Sequence, residues 1–258
     1  KTGLQVKHWM TGERVNVIPG HAEMLLEGGD TLAEQVRAYA QETGLPYTAE
    51  ATAEGVKVTA EGIPGHSAYP EGRRNAIGMM LCLLLRLGVE GPLKTIAEAV
   101  GMEHDGASLG CACADKVSGP LTCNMGIMRV ENGQIFCTLD DRCPVEADQE
   151  KLIAATRAHL PGVQVEVIEQ KAPHHVPAEG ELVSSLLAAY HEETGLPAEA
   201  RSTGGGTYAK VLEQGVAFGA SFPDDEDLAH QANEYATISG LMKSMRIYAN
   251  ALVRLAGK

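Results

Sequence analysis

The sequence predicts an α/β protein in two parts. Residues 1–173 read as an α+β layer, an antiparallel sheet with helices on one face, and residues 174–258 as a segment of alternating helices and strands. Three observations carry this. Val56, Val58 and Ala60 alternate with Lys57, Thr59 and Glu61, the mark of a strand with one wet face. Asn132-Gly133 between the apolar runs 127–130 and 135–139 is a tight-hairpin signal. Beyond His174 helix and strand signals alternate singly, the rhythm of a mostly parallel, helix-covered sheet.

The elements follow in order. Strands are expected near 14–18 and 22–26, then a helix whose stripe is Leu32, Val36, Tyr39 and Ala40. After two further strands, residues 76–87 are apolar nearly all round, which predicts a helix buried on most sides. After the hairpin, Asp148 is an N-cap for a helix carrying Leu152, Ile153 and Thr156, and Pro161-Gly162 closes it. Val163, Val165 and Val167 then alternate as another strand. The boundary is placed near residue 173, in the Pro- and His-containing stretch 171–178. Next come a helix over 181–194, a strand over 198–201, a glycine loop, a helix over 207–214 and a strand over 216–220. A long last helix places Leu241, Met245, Tyr248, Leu252 and Leu255 on one stripe. The string Glu-Thr-Gly-Leu-Pro occurs at 42–46 and 193–197. It reads as one helix stop used twice, with Gly at the left-handed C′ position and Pro preventing continuation.

Composition narrows the function. The 258 residues carry 34 acidic and 21 basic side chains, a net charge of −13, which argues against nucleic-acid binding and against an anionic membrane surface. The longest apolar run, around 79–87, is interrupted by Arg86 and is too short to span a bilayer. Six scattered cysteines predict reduced thiols and a cytoplasmic protein, and Cys111-x-Cys113 lacks the second pair of a structural zinc site. The start, Lys-Thr-Gly-Leu-Gln-Val, has neither an initiator Met nor the form of a signal peptide, and is expected to fall inside a longer protein.

Four places could carry chemistry. His230 follows an acidic run and precedes a helix, so it is either a metal ligand presented from a loop or part of a capping turn. Ser202-Thr-Gly-Gly-Gly-Thr-Tyr could offer backbone N–H groups to a carboxylate or oxyanion, or be a plain turn. It lacks the Gly-Lys-Ser/Thr ending of a phosphate loop. His66, in a Gly/Pro-rich loop after a strand, could donate to a developing oxyanion or be a surface histidine. Arg142 could clamp a carboxylate in bidentate fashion, or form a local salt bridge with Asp140 or Asp141.

Together the strings Arg14-Val-Asn16-Val-Ile-Pro, Gly65-His66-Ser-Ala-Tyr-Pro-Glu-Gly, Asp141-Arg142-Cys-Pro, Gly204-Gly-Gly-Thr-Tyr and His230-Gln-Ala-Asn-Glu resemble the M20 metallopeptidases, in the PepV-like branch of bacterial dipeptidases. The resemblance runs over essentially the whole chain. It implies that His230 binds one of two zinc ions and that His66 stabilises the tetrahedral oxyanion. It also implies that Arg142 and Asn16 bind the substrate's C-terminal carboxylate and nearby polar atoms. Gly204, Gly205, Gly206 and Thr207 would line the substrate site by main-chain contacts. Residues 1–173 would be the lid, and 174–258 the second piece of a split α/β zinc-exopeptidase domain.

The sequence departs from the family pattern as well. None of the nine histidines has Asp two places on, so the family's His-x-Asp metal motif is missing, and Glu192-Glu193 sits at a helix end rather than as a base-carrying pair. The expectation is that the first catalytic piece, with most metal ligands and the general base, lies outside this sequence. The parent would be a zinc-dependent peptidase acting on a dipeptide or N-acyl amino acid, without nucleic acid or membrane partners, and monomeric when full length. The alternatives are a catalytically silent lid fragment and a carboxylate-binding module without turnover.

Overall fold

The computed structural model describes residues 3–219, 221–226, 228 and 233–257. The chain falls into two compact units, Lys1–Pro173 and His174–Lys258.

The first unit is built on a six-stranded antiparallel sheet in the order β10-β9-β1-β3-β5-β4. Its strands are β1 (Val6–Thr11), β3 (His21–Leu26), β4 (Tyr47–Thr52), β5 (Gly55–Glu61), β9 (Thr122–Glu131) and β10 (Gln134–Arg142). Period-2 alternation gives the sheet a dry and a wet face. Ala22, Met24, Leu26, Val56, Val58 and Ala60 join one core with Trp9, Met128 and Val130. On the wet face His21 Nδ1 meets Glu61 Oε1 directly across the β3–β5 ladder at 2.7 Å, and Lys57 pairs diagonally with Glu23.

Helices α1 (Asp30–Thr43), α2 (Ala76–Arg86) and α3 (Pro92–Val100) pack into that same core. Helix α2 buries eight of its eleven residues, and Asn75 caps it by accepting from the N–H groups of Ile77 and Gly78. Helix α4 (Gln149–His159) starts at Asp148, whose carboxylate accepts from Lys151 N–H, as its sequence signals. The β9–β10 turn holds Asn132 (φ 51°) and Gly133 (φ 73°) in the left-handed region, the form an Asn-Gly hairpin adopts. The twice-used helix stop closes α1 and α5 (Glu181–Thr194) alike. Gly44 (φ 67°) donates to Ala40 O, Gly195 (φ 68°) donates to His191 O, and the Thr hydroxyl ahead of each glycine accepts from the Leu N–H behind it.

Two short two-stranded ladders complete the unit. One pairs β2 (Val17–Ile18) with β6 (Gly65–His66) and the other pairs β7 (Ala114–Asp115) with β8 (Gly119–Pro120). Asp115 fixes the latter: it accepts from the Ser118 and Val117 N–H groups, from the Ser118 hydroxyl and from Glu146 N–H. The Ser118 and Glu146 N–H donors hold its carboxyl at about 2, below the usual 3.8. A depressed carboxyl stabilises the fold above its unfolded value, and that contribution is lost as pH falls through the folded one. Asp115→Ala should therefore lower the thermal midpoint near neutrality, with the gap to the unsubstituted protein closing between about pH 4 and pH 2. A gap that does not change with pH would rule out this role.

Several expected strands do not form. Val163, Val165 and Val167 lie outside any strand, with Val163 and Val165 resting on the core and Val167 exposed. Alternation there reflects one-sided packing without a strand partner. In the second unit the segments 198–201 and 216–219 form no ladder among the described residues, and Ala220 lies outside them. The expected helix over 207–214 is a single 3-10 turn, Tyr208–Val211. No strand occurs among the described residues of this unit, so the parallel sheet expected from helix–strand alternation is not present there. Helix α5 packs on α6 (Ile238–Ala256) through Leu186, Ala189 and Ala251, flanked by Val216 and Phe218. Helix α6 buries Ser244, Ile247 and Ala251, leaving Leu241, Met245 and Leu252 of the expected stripe 54%, 62% and 65% exposed. No described helix is long and apolar enough to cross a membrane.

Candidate active site

The candidate residues of the first unit gather where β9 begins and β10 ends. In that ladder Ile127 faces Thr138 and Met125 faces Leu139, so Gly126 is one residue too many on β9, a β-bulge. The missing side chain matters, because a Cβ at Gly126 would collide with the carbonyls of Arg14 and Val15. Gly12, at φ +78°, sits against the Gly126 carbonyl in the same way. Two glycines thus let the segment 12–17 lie directly on the strand, which is why residues 122–126 are buried on both faces.

A buried side chain fastens that segment. Asn124, 2% exposed, donates through Nδ2 to Val15 O (2.9 Å) and Val17 O (3.0 Å), the carbonyls on either side of Asn16. Its Oδ1 accepts from Asn75 Nδ2 (3.0 Å), which also donates to Met125 O. The α2 cap, the start of β9 and the Asn16 loop form one hydrogen-bonded unit.

His66 ends β6, with Val17 opposite it across the short ladder. Ala68 N–H donates to His66 Nδ1 at 3.1 Å, so in the neutral ring Nδ1 carries the lone pair and Nε2 the hydrogen. The Tyr69 ring lies 6.0 Å away, tilted by 43°. Ser67, almost wholly buried, donates its N–H to Asn16 O (3.1 Å) and its hydroxyl to Asp140 Oδ2 (2.6 Å). That same Oδ2 accepts from Arg142 Nε (3.0 Å) and Nη2 (2.9 Å), with Asp140 17% and Arg142 27% exposed. The salt bridge offered as the bland reading of Arg142 is therefore real, and its carboxylate also reaches the His66 turn.

Asp141 points the other way. Burial pushes its carboxyl above the usual range despite the Cys123 thiol hydrogen bond, and the neighbouring Asp140 charge adds to the rise.

The sequence singles out Asn16, His66 and Arg142, with Asp140 only as a local partner of Arg142, and passes over Ser67, Asn124 and the bond from Ser67 to Asp140. The available signals were adjacency, Ser67 next to His66 and Asp140 two places before Arg142, the spacing that puts alternate strand residues on one face.

In the second unit Gly204, Gly205, Gly206 and Thr207 lie in an irregular segment with Gly205 N–H bonded to Thr203 Oγ1 (3.1 Å). A four-residue 3-10 turn follows where a helix was expected, so no helix N-terminus lends its aligned N–H groups to this loop. His230 lies outside the described residues. Glu192 and Glu193 are occupied structurally: Glu192 pairs with Arg254, and Glu193 accepts from Asn250 Nδ2.

Among the described residues no group of three or more His, Cys, Asp or Glu side chains is arranged to hold a metal ion. All six cysteines are free thiols, and burial pushes both Cys111 and Cys113 up. The described residues thus do not make a metal centre on their own.

This is a polar junction on an α/β scaffold, and comparison gives it a family. The model of the peptidase family M20/M25/M40 matches residues 14–254, and the chain belongs to that family, whose peptidases are generally metal-dependent. The Bacillus subtilis strain 168 protein named "Putative dipeptidase YtjP" is 32% identical over 256 residues, covering 96% of this chain and 55% of the relative. A similarly named dipeptidase of Staphylococcus saprophyticus is 29% identical over 271 residues, covering 97% and 56%. One of Staphylococcus aureus strain MRSA252 is 30% identical over 256 residues, covering 95% and 54%. The chain spans about half the length of these relatives.

Proposed function

We propose that this chain supplies the lid and the second catalytic-domain segment of a zinc-dependent peptidase that hydrolyses a dipeptide or a related amide. The observation that carries the reading is the junction of Asn16, His66 and Arg142 through Ser67 and Asp140, within a chain whose family is peptidase M20. His66, with hydrogen on Nε2, donates to the oxyanion that forms when water adds to the scissile carbonyl. Arg142 binds the substrate's C-terminal carboxylate, a task that suits a planar guanidinium held by one carboxylate at its Nε–Nη2 edge. Asn16 offers an amide to neighbouring polar atoms, and Gly204, Gly205, Gly206 and Thr207 line the substrate by main-chain contacts. His230 is one ligand of a two-zinc centre; the other ligands and the general base belong to chain outside this sequence. Six free thiols suit a reducing cytoplasm.

The lack of a metal-holding group among the described residues favours a second reading for this chain in isolation: substrate contact without turnover. One assay separates the two. The complete protein should hydrolyse members of a panel of dipeptides and N-acyl amino acids, lose that activity on chelation and regain it with zinc. The 258-residue chain should hydrolyse none. Turnover by the chain alone would overturn the division of labour, and an inert complete protein would overturn the peptidase reading. Cleavage of acylated amino acids but not dipeptides would redirect it to a deacylase.

A further inference from the structure

We propose that Asp140 is a positioning residue that couples the oxyanion donor to the carboxylate clamp, using Ser67 as the link. The inference rests on the reading of His66 and Arg142 as substrate-contacting groups. One oxygen, Asp140 Oδ2, accepts from Ser67 Oγ at 2.6 Å and from both Nε and Nη2 of Arg142 at 3.0 and 2.9 Å. Ser67 adjoins His66, and its N–H is held by Asn16 O. Asp140 therefore fixes the guanidinium on one side and the His66 turn on the other.

Its placement follows from the bulge. Asp140 and Asn124 are direct register partners beyond Gly126, so the residue that holds Arg142 and Ser67 faces the residue that holds the Asn16 loop. These side chains are largely withdrawn from solvent, where an ionic hydrogen bond is stronger than at an open surface. Half-ångström errors in a catalytic donor are costly, so a shared anchor keeps the two substrate contacts at a fixed spacing. Position along the substrate is then set by both groups together: the clamp seats the carboxylate, and the donor meets the carbonyl one residue away.

The test is a double-substitution cycle in the complete protein with a hydrolysed dipeptide. Ser67→Ala removes the link and leaves the Asp140–Arg142 pair; kcat should fall about tenfold, the scale of one charge-assisted hydrogen bond, with KM nearly unchanged. Asp140→Asn keeps an acceptor but removes the charge from beside Arg142, and should raise KM as well as lower kcat. The double variant should lose little more than Asp140→Asn alone, because the uncharged amide oxygen holds the Ser67 hydroxyl only weakly, so both changes act on one connection. Ser67→Thr, which keeps the hydroxyl, should restore most of kcat. Losses that multiply, or an unchanged kcat in Ser67→Ala, would overturn the coupling. Thermal midpoints identify any variant that fails to fold; if Asp140→Asn does, the kcat-against-KM split of Ser67→Ala decides alone. His66→Ala and Arg142→Ala run alongside. If those two impair hydrolysis while Ser67→Ala does not, positioning fails and the site reading stands. If neither impairs it, the site reading fails and takes this inference with it.

Discussion

Replacing His66, the proposed oxyanion donor, with alanine in the complete protein should lower kcat on a hydrolysed dipeptide by about two to three orders of magnitude while KM hardly moves. The asymmetry is the informative part. A donor aimed at an oxyanion meets a weakly polarised carbonyl in the ground state and a full negative charge in the transition state, so its loss falls on kcat. The ring is prepared for that role by Ala68 N–H, which occupies Nδ1 and leaves the hydrogen on Nε2. The substitution should also be mild for the fold, since β6 is only two residues long and pairs with β2 through its backbone. Steady-state kinetics on the substrate identified by the panel checks this. An unchanged kcat would remove His66 from the chemistry, and a raised KM with constant kcat would make it a ground-state binding group.

How much of this was legible beforehand depends on whether a signal was local. The Asp148 cap, the Asn132-Gly133 turn, the shared stops at Gly44 and Gly195 and the all-round burial of α2 each follow from a few neighbouring residues, and each is present. The hairpin arms were read too short, as 127–130 and 135–139, against Thr122–Glu131 and Gln134–Arg142. Gly126 explains the shortfall. The bulge breaks the period of two, and the segment 12–17 covers the second face of 122–126, so a strand buried on both sides no longer alternates. The opposite error occurred at Val163, Val165 and Val167, where alternation existed without a partner strand. Periodicity reports which side of a segment is buried, and pairing is a separate, non-local fact.

The site divides the same way. His66, Arg142 and Asn16 sit in short strings whose order along the chain resembles a family, so they could be picked out one by one. Ser67 and Asp140 are 73 positions apart, and their hydrogen bond is a product of the fold that no local pattern announces. Asp140 was visible as a local partner of Arg142 and was correctly read as a salt-bridge candidate; its second attachment required the fold. In the second unit, where Ser202 to Tyr208 suggested a helix-terminus cradle, the four-residue 3-10 turn lacks the stacked N–H groups that give such a terminus its field.

The largest stability effect expected from a single polar side chain belongs to Asn124. Asn124→Leu keeps the branching and the number of side-chain heavy atoms and removes the amide, so the carbonyls of Val15 and Val17 lose their shared donor and Asn75 Nδ2 loses one acceptor. Each buried polar group left unmatched costs about 1–3 kcal/mol, and because the three are coupled a total near 3 kcal/mol is expected in denaturant unfolding. Asn75 keeps Met125 O as a second acceptor, so most of the cost falls on the segment 12–17. At its ends that segment is held by Arg129, which donates to Gly12 O, and by the ladder between Val17 and His66. It reaches β9 only because Gly12 and Gly126 lack side chains, and its contact with Ser67 runs through the Asn16 carbonyl. Loosening it should therefore raise KM as Asn16 leaves its position, and lower kcat less, since His66 keeps its Ala68 bond and its ladder to Val17 only in part. Asn124→Asp should be at least as damaging, because a carboxylate would face two carbonyl oxygens with no donor to offer them. A loss well under about 1 kcal/mol for Asn124→Leu would mean that water replaces the amide and that the loop is held by packing alone.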